Sequence, residues 1–207
     1  MWFINGKNTA RISFGKNELC LRPILRGRDI KRYSYQYADL YLISTFPAKG
    51  YDIDDYPAVK DYLLKFGIER LEQTGKEHII NGERVKARKK TSNKWYETQD
   101  SISYWDEFSK PKIIWKRVGS IIRFSYDTTG ILGLDSTCFA TGESIQYICC
   151  VLNSPMGHYL LNGAPRTGTG DLLISVQAVE PLRFPLISDN QKIIFQELLD
   201  KVILGKQ

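Results

Sequence analysis

Residues 23–33, PILRGRDIKRY, place four cations (Arg26, Arg28, Lys31 and Arg32) within seven positions, with Asp29 as the one acid among them. Tyr33, Tyr35 and Tyr37 close the segment with aromatic rings. Arginine carries a planar fork of donors that matches a phosphate or a base edge, and Gly27 lets the main chain come close to a backbone of phosphates. A second concentration lies at 76–94, where Lys76, Arg84, Lys86, Arg88, Lys89, Lys90 and Lys94 face only Glu77 and Glu83. The whole chain has a net charge of +6, so most of the imbalance sits in that one segment. A concentrated cationic patch is the electrostatic footprint of a nucleic-acid binder. On charge alone residues 23–33 read rather as a solvated surface turn and residues 76–94 read equally as a solvated loop, and it is the combination that points to nucleic acid.

Hydrolytic chemistry is the alternative for the same residues. Asp29-Ile30-Lys31 fits the second half of a nuclease pattern in which carboxylates and a lysine gather at a divalent metal. The first half needs an upstream acid, and Glu18 is the only acid before Asp29. Arg26, Arg28 and Arg32 surround Asp29, so its expected partner is a guanidinium. A small metal-dependent nuclease centred on Asp29 and Lys31 remains one alternative. A protein-interaction module with a basic arm is another. No catalytic residue and no metal ligand is assigned. His78 and His158 stand far apart without nearby cysteines, which argues against zinc. Asp52, Asp54 and Asp55 precede a helix and read as capping groups.

The elements that must carry these groups follow from periodicity and punctuation. Extended runs are expected at 11–14, 19–22 and 40–46, then a helix over 56–73 with Pro57 in its first turn, Asp54 or Asp55 as cap and Gly67 as a weak point. Asn81-Gly82 between β-branched residues predicts a hairpin, and alternation in its returning strand puts Arg84, Lys86 and Arg88 on one face. Further strands are expected at 111–118, 121–126 and 136–141. A helix over 144–161 is interrupted at Leu152-Asn-Ser-Pro155, a Gly-rich flexible turn follows at 162–171, and residues 182–187 are extended. A last helix covers 189–204 with Phe195, Leu198, Leu199 and Val202 on one side. The four tryptophans read as core rather than as stacking groups. No apolar run approaches the length of a membrane span, no export signal is visible, and Cys20, Cys138, Cys149 and Cys150 lack CxxC spacing, so a reducing cytoplasm is expected.

Taken in order, these segments resemble the TaqI-like C-terminal specificity domain, the target-recognition domain of type IIG restriction-modification enzymes and adenine-specific DNA methyltransferases. The resemblance is carried by PILRGRDIKRY at 23–33, YPAVKDYL at 56–63, Trp95-Tyr-Glu and Phe108-x-x-Pro-Lys-Ile-Ile114. It continues through Asp135-Ser-Thr, Leu152-Asn-Ser154 and Phe184-Pro-Leu-Ile187. It implies duplex DNA as partner, an upstream methyltransferase domain or subunit, and no catalysis in this chain. S-adenosylmethionine and magnesium are implied only for other parts of a parent enzyme, since no NPPY or DPPY tetrapeptide occurs here.

The expected fold class is α+β, a mixed and largely antiparallel sheet with packed helices. Residues 1–187 are expected to form the recognition domain, with the basic hairpin inserted at about 76–94, and 188–207 a C-terminal helix, cut from something longer. The expected DNA-binding residues are Arg26, Arg28, Lys31, Arg32, Arg84, Lys86, Arg88, Lys89, Lys90, Lys116, Arg117, Arg166, Thr167 and Thr169.

Overall fold

The computed structural model describes residues 3–5 and 20–205. The strand expected at 11–14 lies outside the described residues. The architecture is α+β with mostly antiparallel pairing. The chain divides into two compact units. The first holds the described residues up to Pro23 and Asp39–Trp105, and the second holds Ile24–Ala38 and everything from Asp106 onward.

In the first unit, β1 (Phe3–Asn5) pairs antiparallel with β3 (Leu40–Ile43), which pairs antiparallel with the first three residues of β2 (Leu21–Leu25). The helix expected over 56–73 is two pieces, α1 (Pro57–Leu64) and α2 (Ile68–Leu71). Gly67 breaks it at φ 84°, a left-handed conformation that favours glycine. Neither Asp54 nor Asp55 caps α1. Asp52 instead accepts from Asp54 N at the short 3-10 turn before it, and Asp54 pairs with Lys60 at 2.6 Å. Val59, Leu63 and Leu71 pack with Ile4, Leu21, Ile43 and Tyr96 in the core of this unit. The hairpin of β4 (Glu77–Ile80) and β5 (Glu83–Lys86) turns through Asn81 at φ 52° and Gly82 at φ 83°, the paired positive angles of a type I′ turn.

In the second unit, β6 (Lys112–Lys116) runs between β10 (Thr137–Thr141) and β8 (Phe124–Asp127), both antiparallel to it. Because β6 is central, both of its faces are covered. Ile113 and Trp115 join a core with Phe124, Cys149, Leu152 and Leu199, while Ile114 joins Leu25, Ile30 and Ile131. The last two residues of β2 pair in parallel with β9 (Leu132–Gly133), and β7 (Val118–Gly119) pairs antiparallel with β11 (Leu172–Leu173).

Helices α3 (Ile145–Leu152) and α4 (Pro155–Leu161) meet at the expected break, where Ser154 accepts from Gly157 N and Pro155 opens α4. After α5 (Val176–Val179), α6 (Asp189–Leu204) starts at a capping box between Ser188 and Gln191. Its buried side differs from the expected one. Phe195 meets Tyr147, Leu199 is fully buried and Ile203 packs on the core, whereas Leu198 and Val202 are exposed. Among the described residues no helix is long and apolar enough to cross a membrane. All four cysteines are free, and burial pushes the Cys20 and Cys149 thiols up to about 12.

Candidate nucleic-acid interface

The basic turn of the second unit is built around Asp29. Its carboxylate accepts from the Arg26 main-chain N at 2.9 Å, from Arg26 Nε at 2.9 Å and from the guanidinium terminus at 2.8 Å. Burial pushes this carboxyl up, but the hydrogen bonds and charge of Arg26, aided by Arg28, outweigh it and hold the group below its ordinary range. Both Asp29 oxygens are thus occupied by a guanidinium, where a metal-dependent nuclease needs them open. Among the described residues no three His, Cys, Asp or Glu side chains are grouped to hold a metal. Glu18 lies outside the described residues.

Gly27 has a different task from the one its sequence suggests. It is buried against the protein, not open to a phosphate. A Cβ there would meet Lys116 Cγ at 2.8 Å and the Ser136 carbonyl oxygen at 3.2 Å, and the Gly27 N–H donates to Ser136 Oγ at 3.2 Å. The Lys116 stem crosses both Gly27 and Gly119, so its charged end is carried outward over two bare backbones.

The tip beyond Asp29 is held by main-chain bonds. Ile30 bridges Tyr35, and Lys31 N donates to Ser34 O at 2.9 Å. Tyr33 sits at φ 70°, uncommon for a bulky side chain, with its N–H on Phe124 O at 2.8 Å and its carbonyl accepting from Tyr126 N. The buried Ser125 hydroxyl lies against the carbonyls of both Lys31 and Ser34. Below, Tyr35 donates to Asp127, which also pairs with Lys112, and both members of that pair are 0% exposed. Lys112 and Asp127 are register partners across β6 and β8, and Lys112 also donates to Phe108 O at 2.7 Å. This framework leaves Arg28 and Arg32 exposed, Arg26 in its ion pair and Lys31 half-buried.

Two other expected segments join the same framework. Arg117 N donates to Ser136 O at 3.0 Å, and the Arg117 carbonyl accepts from Ile174 N at 2.8 Å. Through the β7–β11 pairing and the Arg166–Leu172 bridge, the Gly-rich loop is tied to this edge. The loop carries hydrogen bonds of its own. Arg166 donates to Gly170 O at 2.9 Å, Thr167 N to Asp171 O at 2.8 Å, and the Thr167 and Thr169 hydroxyls bond each other at 2.8 Å. Arg28, Lys116, Arg117 and Arg166 are therefore exposed on segments linked by successive hydrogen bonds.

The hairpin of the first unit keeps only part of its expected row. Arg84 and Lys86 are exposed on either side of buried Val85, and Lys89 and Lys90 are exposed beyond the strand. Arg88 leaves that row. It is half-buried, and its guanidinium donates to Leu71 O at 2.7 Å, to Glu97 O at 2.8 Å and to Trp95 O. Burial lowers its pKa, and three carbonyl acceptors satisfy the cation there. Sequence periodicity could not mark Arg88, because its acceptors lie on α2 and on the 95–97 segment.

Each unit thus exposes basic side chains, the second on the segments of Arg28, Lys116, Arg117 and Arg166 and the first on its hairpin. A family model of the TaqI-like C-terminal specificity domain matches residues 22–170. The chain belongs to that family, which places it in DNA target recognition within restriction-modification systems. A comparison with curated proteins finds no match.

Proposed function

We propose that this chain reads a specific duplex sequence for a type IIG restriction-modification enzyme, delivering that site to an adenine methyltransferase domain or subunit in the cytoplasm. Arg28 and Arg32 contact base edges, helped by Lys116, Arg117, Arg166, Thr167 and Thr169. Arg84, Lys86, Lys89 and Lys90 neutralise phosphates. Arg26 and Arg88 support the backbone that carries these groups. S-adenosylmethionine and magnesium act in the other parts of the enzyme.

The observation that carries this reading is the brace beneath the arginine turn. Specificity requires a donor pair fixed relative to a base edge, and an arginine bidentate to guanine contributes roughly 1–3 kcal/mol of discrimination. A turn held by Ser125, Phe124 and Ser136 offers such fixed donors. The test is selection of duplexes from a randomised pool by the full chain. One enriched sequence is expected, and recovery of the unselected pool would rule the reading out. Incubation with labelled S-adenosylmethionine and the selected duplex should give no methyl transfer without the methyltransferase part.

A further inference from the structure

Ser154 of the Leu152-Asn-Ser154 stretch caps α4, and Asn153 beside it serves the sheet instead. Asn153 is 2% exposed. Its Oδ1 accepts from Phe124 N at 3.0 Å, and its Nδ2 donates to Phe124 O at 2.8 Å and to Cys149 O at 3.0 Å. One side-chain amide thus pairs both main-chain groups of a single β8 residue, as the backbone of a neighbouring strand would. β8 lies at the edge of its three-stranded sheet, with β6 on one side only.

The same Phe124 carbonyl accepts from Tyr33 N at 2.8 Å, and Tyr126 N donates to the Tyr33 carbonyl at 3.3 Å. Asn153 and the arginine turn therefore meet on one oxygen. Arg32 precedes Tyr33, which is held at φ 70°, a conformation that a bulky residue keeps only where its surroundings impose it. The seat of Asn153 is itself fixed. A Cβ on Gly157 would strike the Leu152 carbonyl, so a bare glycine lets α4 fold closely onto the end of α3, and Asn153 N donates to Cys149 O at 3.2 Å. Among side chains of this length asparagine carries both a donor and an acceptor, whereas leucine has neither and ionised aspartate has no donor.

We propose that Asn153 is a positioning residue for base readout: it fixes Phe124, and through Phe124 O and the Tyr33 main chain it sets where the turn holds Arg28 and Arg32 against a base edge. This rests on the DNA-recognition reading and adds to it a buried, uncharged residue that charge patterning does not mark. A bidentate contact to a base fails when its donors are displaced, whereas attraction to phosphates survives a small shift. Loss of the Asn153 amide therefore removes discrimination and spares nonspecific affinity.

The test measures the full chain on the duplex it selects from a randomised pool and on a scrambled duplex. Asn153→Ser withdraws the paired bonds to Phe124 without burying a charge. It should narrow the ratio of the two affinities about tenfold by weakening the selected duplex, a part of what one bidentate arginine contact supplies. The Tyr33 amide should exchange its hydrogen faster. Leu161→Ala opens the same core at the end of α4 and lowers the unfolding midpoint, yet should leave the ratio in place. If Asn153→Ser does not fold, Asn153→Gln, which keeps both groups one methylene further out, is read in the same way. A wild-type ratio in a folded Asn153 variant, or an equal narrowing in Leu161→Ala, overturns the positioning role and leaves the DNA reading standing. A wild type that selects no sequence overturns the reading, and the role falls with it.

Discussion

The arginine turn of the second unit and the hairpin of the first carry similar charge on differently supported backbones. The turn is bonded at nearly every residue to β8, to Ser136 or to itself. The hairpin is an isolated two-stranded ladder, with Ile79 left 77% exposed near its tip. A base edge is read by hydrogen bonds that fail when a donor is displaced, whereas a phosphate asks mainly for nearby charge. Rigid support beneath Arg28 and Arg32 and light support beneath Arg84 and Lys86 therefore suit different tasks.

The largest expected effect strikes the brace of the turn. Lys112→Ala leaves the Asp127 carboxylate buried without its cation, and should cost roughly 3–5 kcal/mol in denaturant unfolding of the chain. The acid side follows from the same groups. Burial raises Asp127, but Lys112 and Thr129 outweigh this and lower it, and Asp29 is lowered likewise. Carboxyls depressed in the fold contribute stability that is present above their unfolded value near 4 and lost as pH falls through the lower folded value. Unfolding free energy should thus be level from about pH 5 to 7 and decline below about pH 4. A decline that begins at neutral pH contradicts this assignment.

Arg88→Ala should cost about 2–3 kcal/mol, because three main-chain carbonyls lose a charged donor. Arg84→Ala, four residues away, should stay within about 0.5 kcal/mol. Equal losses would erase the distinction between the clasp and the row it supports.

Gly27→Ala should cost about 1–3 kcal/mol through overpacking on Lys116 and Ser136, and should move the turn. In the assembled enzyme its discrimination between cognate and scrambled duplex should fall with it. Arg28→Ala should narrow the same gap by roughly 1–3 kcal/mol with unfolding unchanged. If cognate and scrambled affinities drop by one factor, the turn only grips phosphates.

The smallest change is expected from the arm. Arg84→Ala with Lys86→Ala should leave stability and discrimination alone and flatten the salt slope by about two units, one for each phosphate no longer neutralised. An unaltered slope means the arm points away from DNA.

Local rules made much of the chain legible. Asn81-Gly82 predicts its turn because only residues tolerant of positive φ suit it, Ser154-Pro155 predicts a helix start because it satisfies orphan N–H groups, and Gly67 marks a weak point in its helix. Charge patterning located Arg28, Arg84 and Lys86 on exposed backbone for the same reason, since each depends only on its neighbours. The parallel pairing of β2 with β9, the burial of Lys112 opposite Asp127, the Arg88 clasp and the seat of Gly27 against Lys116 and Ser136 were decided by the tertiary structure. Each joins residues remote in sequence. A lysine or arginine looks the same in a periodic pattern whether water or a buried carbonyl receives its protons, and only the packed fold chooses between them.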